Sequence, residues 1–174
     1  MNDNLAQTIL NRGKEQIVLY FDSNPNMIDD LILLVFAKDA KIAWRSTWAL
    51  DHCNYNKNEK LSPYLDSFIE LLPKADETMQ RVMLRLITPL NLQEESFGKL
   101  LNVCLAIWED IRIKSAVRLY AFKIILKAIE MYPELRNEFQ YLFDNHYMEN
   151  ISPGIKHSIN KLMNTAKNSR RIDR

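Results

Sequence analysis

The chain has 174 residues, 47% of them hydrophobic and 26% charged, with a formal net charge of +1. A chain of that length buries about two thirds of its unfolded surface as one domain without a metal or a disulfide, and the balance excludes both a disordered segment and an overall polycation. Three Gly and 6 Pro are lean for a sheet protein that depends on tight turns, so the composition favours helices.

Read in order, residues 3–12 form a short helix with Leu5, Ile9 and Leu10 inward, and Gly13 interrupts it before a second helical segment from Lys14 to Phe21. Asp22-Ser23-Asn24-Pro25-Asn26 is a turn, in which short polar side chains replace helical hydrogen bonds. Met27 to Ala37 is a strongly apolar helix with Asp29 and Asp30 near its favourable N-terminal end. A helix from Asp39 to His52 carries Ile42, Ala43, Trp44, Thr47, Trp48 and Leu50 on inward or flanking positions, and residues 54–60 are a polar connection. Ser62-Pro63 gives a cap and a first-turn proline, with Tyr64, Leu65, Phe68, Ile69, Leu71 and Leu72 buried beyond it. Asp76 caps a helix that ends near Thr88-Pro89, and Asn91 or Gln93 leads into one that reaches Trp108.

Glu109-Asp110 marks a bend before the stretch Ile113 to Tyr132, which is apolar on two flanks and therefore wants neighbours on both sides. Its Lys114, Arg118, Lys123 and Lys127 separate it from a membrane span. Pro133 restarts the chain for a helix from Glu134 to Tyr147, and Ser152-Pro153 opens the last helix, from Ile155 to Ala166, before a polar basic tail at 167–174.

Charge is unevenly placed along this order. Residues 1–37 carry a net −3 and residues 151–174 a net +5, with Lys161, Lys167, Arg170, Arg171 and Arg174 near the end. A basic end can steer a polyanion, although a few such charges give only weak, salt-sensitive and sequence-independent affinity. Cys53 and Cys104 lie far apart with no CxxC, and the first ten residues lack a secretion signal, so two thiols in a cytoplasmic protein are expected. His52 beside Cys53, and the isolated His146 and His157, make no convergent metal set. No glycine-rich phosphate loop, HExxH, GxSxG or EF-hand pattern occurs in the sequence, and no cofactor is expected.

The helices repeat. Trp44-Arg45-x-x-Trp48, Gln80-Arg81-x-x-Leu84, Val117-Arg118-x-x-Ala121 and Ile155-Lys156-x-x-Ile159 share a basic residue followed by a buried position, and the basic residues step by 36, 37 and 38. That period is one two-helix unit with its turns, and such units bury their faces by stacking on neighbours. On these residues the chain resembles the HEAT-like repeat superfamily, whose first helices commonly carry Val-Arg-x-x-Ala, matched directly by Val117 to Ala121. The resemblance covers residues 14–166 and implies an all-α superhelix of about four to five antiparallel helix pairs, a single repeat domain over residues 1–174. Some bacterial members of the superfamily are DNA glycosylases that remove alkylated bases with tryptophans and an acidic residue on a concave surface. Trp48-Ala49-Leu50-Asp51 resembles that pairing, with Ala49 where the pattern has an aspartate directly after the tryptophan.

The expected function is a non-catalytic scaffold for a protein or peptide partner. Trp44, Arg45, Trp48, Arg81, Arg118 and Lys156 are the candidate partner-binding residues. Each arginine has an alternative role, covering a helix end or pairing with an acidic residue of the next unit, and each tryptophan an alternative as core packing. The alternative function is nonspecific DNA or RNA binding through Arg45, Arg81, Arg118, Lys156, Arg170 and Arg171, with a glycosylase-like activity at Trp48 and Asp51 behind it. A weak homodimer through the apolar N-terminal end is a further expectation, and no membrane association is expected.

Overall fold

A computed structural model describes residues 3–168, with side chains for 4–164. The tail residues Arg170, Arg171 and Arg174 therefore lie outside the described residues. The described residues are all-α and divide into two compact units, residues 1–92 and 93–174.

In the first unit α1 (Asp3–Asn11), α2 (Lys14–Ser23), α3 (Ile28–Leu34) and α7 (Glu77–Ile87) all pack on α4 (Ala40–His52). Helix α4 starts where Asp39 Oδ1 accepts from the backbone N–H groups of Lys41 and Ile42 at 2.8 and 3.1 Å, and α7 starts on Asp76 in the same way. Both caps satisfy amides that the helix cannot bond itself. The core is Leu5, Ile9, Ile17, Phe21, Leu31, Ile32, Leu50 and Met83, each at most 2% exposed. Ser46 and Thr47 enter that core because each hydroxyl donates to a carbonyl one turn back in its own helix.

Two local expectations change here. Residues 54–60 are not a plain connection, because Asn56 accepts from Glu59 N and opens α5 (Lys57–Leu61). Ser62 does not cap the next helix: its hydroxyl donates back to Asn58 O, and a 3-10 turn over Ser62–Tyr64 leads into α6 (Leu65–Leu71).

In the second unit α8 (Glu94–Glu109) and α9 (Ser115–Met131) pack as a helical hairpin, and α11 (Pro153–Asn168) packs on α9. Val117, Ala121, Phe122, Ile124, Ile125 and Ala128 of α9 are each at most 1% exposed, which fits a helix with neighbours on both flanks. The expected helix from Glu134 to Tyr147 is instead α10 (Leu135–Glu138) and two 3-10 turns, Gln140–Phe143 and Asn145–Met148. The reason lies in α8 and α9. Trp108 Nε1–H donates to Leu142 O at 3.0 Å, so a carbonyl that a continuous helix would bond internally serves a buried side chain, and Arg118 NH2 donates to Tyr147 O, at the end of the segment, at 2.6 Å.

Candidate functional site

The four matched basic positions do not share one environment. Arg45 on α4 donates from Nε to Ile9 O at 2.9 Å and from NH2 to Arg12 O at 2.6 Å, covering carbonyls at the C-terminal end of α1. Its guanidinium also lies 4.4 Å from the centre of the Trp48 ring. Arg118 is fully buried, and its Nε and NH2 donate to Trp108 O, at the end of α8, at 3.1 and 2.9 Å. Burial lowers its pKa, which the negative charge of Asp110 partly restores, yet a guanidinium stays protonated at any pH a protein tolerates. A cation at a helix C-terminus meets the negative end of the helix dipole, so the geometry suits the charge.

Arg81 and Lys156 differ from this pair. Arg81 is half-buried on α7, where the neighbouring Gln80 takes the analogous part by donating from Nε2 to Leu72 O at 3.1 Å. Lys156 stands exposed on α11. A continuous basic ladder would need all four heads outside, and two of them point at backbone carbonyls.

Trp44 and Trp48 are half-buried on α4, outside its most deeply buried set. Trp48 lies against the His52 ring as well as Arg45, with ring centroids 4.6 Å apart. Asp51, on the same helix, is held by both Nε (2.7 Å) and NH2 of Arg85 from α7, and its other near neighbour is His52 Nδ1 at 3.7 Å. The carboxylate that would serve a glycosylase-like reaction is thus a bidentate partner of an arginine, with its side chain only 8% exposed. Trp108 is core, stacked against Phe122 with centroids 4.5 Å apart.

Both thiols are buried. Burial, with a smaller push from Asp22, raises Cys53 to about 12, and burial raises Cys104 further. Among the described residues no group of His, Cys, Asp or Glu is placed to hold a metal ion, and no helix is long and apolar enough to cross a membrane.

A further surface feature, in the apolar N-terminal segment expected to self-associate, lies between the end of α3 and the start of α4. Asp30, Leu33, Leu34, Phe36, Ala37, Lys38, Asp39 and Ile42 line a cleft of about 770 Å³. Leu33 is 54% exposed there although it sits in the most apolar run of the chain. A signal for it was present: the run Leu31-Ile32-Leu33-Leu34-Val35-Phe36 has more apolar residues than one buried helical face accommodates.

A family model described as a HEAT repeat domain matches residues 1–166. The chain belongs to the HEAT-repeat family. Neither the curated proteins nor the solved structures give a match. Within this HEAT-repeat chain, the Val117-Arg118-x-x-Ala121 signature acquires a physical meaning: Val117 and Ala121 are core at 1% and 0% exposure, and Arg118 ties the start of α9 to the end of α8. The match extends to neither the glycosylase branch nor any partner.

Proposed function

We propose that this HEAT-repeat chain is a non-catalytic scaffold whose α3–α4 cleft receives a peptide that presents an apolar side chain next to a basic residue. The observation that carries the reading is the exposure of Leu33 in a cleft with Phe36, Ala37 and Ile42. A large exposed aliphatic side chain in a concave surface favours an apolar anchor, since covering it removes hydrocarbon from water. Asp30 and Asp39 outnumber Lys38 along the same lining, which favours a positive neighbour beside that anchor. Arg45 and Arg118 donate to carbonyls, so the polyanion reading retains Arg81 and Lys156 from the ladder.

Panning a random peptide library against the full chain tests the proposal, with the Leu33→Glu variant as the counter-selection. Peptides pairing an apolar residue with Lys or Arg are expected to bind the parent and to lose at least about tenfold in affinity for the variant. Enrichment of peptides indifferent to Leu33→Glu would reject the site. Self-association abolished by Leu33→Glu, with no peptide enriched, would replace the peptide by a second copy of the chain. A short DNA duplex at low salt is expected to show no binding to the full chain, and strong salt-dependent binding would return the polyanion reading to first place.

A further inference from the structure

The α3–α4 cleft favours an apolar anchor beside a positive charge, and the chain itself contains such a peptide. Asp30 and Leu33 stand one turn apart on α3, so a carboxylate and an uncovered aliphatic side chain share one side of that helix. Asp30 has no ion-pair partner among the described residues, whereas the adjacent Asp29 is taken by Lys60 at 2.8 Å. Arg170-Arg171-Ile172-Asp173-Arg174, outside the described residues, sets an aliphatic side chain directly after two arginines, with three arginines against one aspartate. The comparably basic run from Arg112 to Arg118 is already committed, with Arg112 paired to Asp110 at 2.8 Å and Arg118 in the core. Charge is complementary over a longer stretch as well, net −3 in residues 1–37 against net +5 in residues 151–174.

We propose that residues 170–174 of one copy of the chain occupy the α3–α4 cleft of a second copy, with Ile172 the anchor against Leu33 and Arg171 the charge beside Asp30. This inference rests on the peptide reading of the cleft and supplies its occupant. The homodimer expected from the apolar N-terminal segment thereby acquires a second, unlike surface. A contact between two unlike surfaces is heterologous: it leaves a free cleft at one end and a free basic segment at the other, so association grows with concentration unless a ring closes. Covering Leu33 removes hydrocarbon from water, and the attraction between arginine and carboxylate weakens with salt because both stand near the surface.

Sedimentation velocity of the nuclease-treated full chain, over a range of concentrations, tests the inference. Self-association at low salt is expected, with an association constant at least about tenfold lower for Leu33→Glu and for Ile172→Glu taken singly. Mixing these two variants decides the geometry. Leu33→Glu keeps its basic segment and Ile172→Glu keeps its cleft, so the mixture is expected to form a one-to-one complex and to stop there. Should Leu33→Glu fail to fold by far-UV circular dichroism, Asp30→Arg and Arg171→Asp are each expected to weaken association, and the double variant to regain it. A chain that stays monomeric, association indifferent to Ile172→Glu, or the absence of a complex in the mixture would each overturn the proposal. Library peptides that need Leu33, together with association indifferent to Ile172→Glu, would remove this occupant and leave the peptide reading standing. Indifference to Leu33 in both experiments would remove both.

Discussion

The guanidinium of Arg118 lies 4.6 Å from the centre of the Trp108 ring and donates two hydrogen bonds to the carbonyl of that same residue. It also reaches Tyr147 O at 2.6 Å and Glu149 O at 3.4 Å, so one buried cation joins the end of α8 to the irregular segment ahead of α11. In the other unit Arg45 also lies over an indole, that of Trp48 on its own helix, and donates to the carbonyls of Ile9 and Arg12 at the end of α1. Arg118 and Arg45 therefore work as structural clamps on the end of an earlier helix, α8 and α1 respectively, while beside Arg81 that part falls to Gln80.

Arg118→Lys keeps the charge and loses the fork. A lysine ammonium cannot span Trp108 O and Tyr147 O as the guanidinium does, and each lost charge-assisted hydrogen bond to a buried carbonyl costs about 1.5–3 kcal/mol. Urea denaturation is expected to show at least about 2 kcal/mol of destabilisation for Arg118→Lys, and more for Arg118→Met. A lysine variant as stable as the parent would show that charge alone suffices.

The Asp51–Arg85 pair connects α4 to α7, and a double-mutant cycle with Asp51→Asn and Arg85→Gln measures it. Arg85 is 39% exposed, so solvent screens the pair and the expected coupling is about 1 kcal/mol despite the bidentate geometry. Coupling near zero would mean that the two side chains hold each other only loosely.

Acid stability should report Asp110. Hydrogen bonds from the Arg112 side chain and backbone lower its carboxyl to about 2 from an ordinary 3.8. A depressed folded pKa contributes stability above the unfolded value and loses it as pH falls through the folded one. The stability difference between the parent and Asp110→Asn is therefore expected to be present above about pH 4 and to vanish towards about pH 2, as followed by urea midpoints across that range.

Thiol labelling checks the cysteines. Cys53, raised to about 12, and the fully buried Cys104 hold almost no thiolate at pH 8, so iodoacetamide should label neither in the folded chain and both in urea. Rapid labelling of Cys53 alone would show that the end of α4 opens readily.

Several features were legible in the residues themselves. Asp39 and Asp76 announce their helices because a carboxylate one residue ahead of a periodic run has a local task, bonding free amides. The two-flanked apolar pattern around Val117 to Ala128 specifies an inner helix for an equally local reason, since helical geometry fixes which side chains share a face. The break in residues 134–147 was not legible, because the competitor for the Leu142 carbonyl, Trp108, stands 34 residues earlier in the chain.

The sequence by itself determined that the chain is helical, where its main helices begin and which of their faces are apolar, because those properties depend on neighbours within a turn or two. Tertiary structure alone decided that Arg45 and Arg118 turn inward onto carbonyls while Lys156 stays in water, and that Leu33 is left uncovered. A long cationic side chain reaches either solvent or a neighbouring helix end from the same backbone position, and only the placement of that neighbour selects between them.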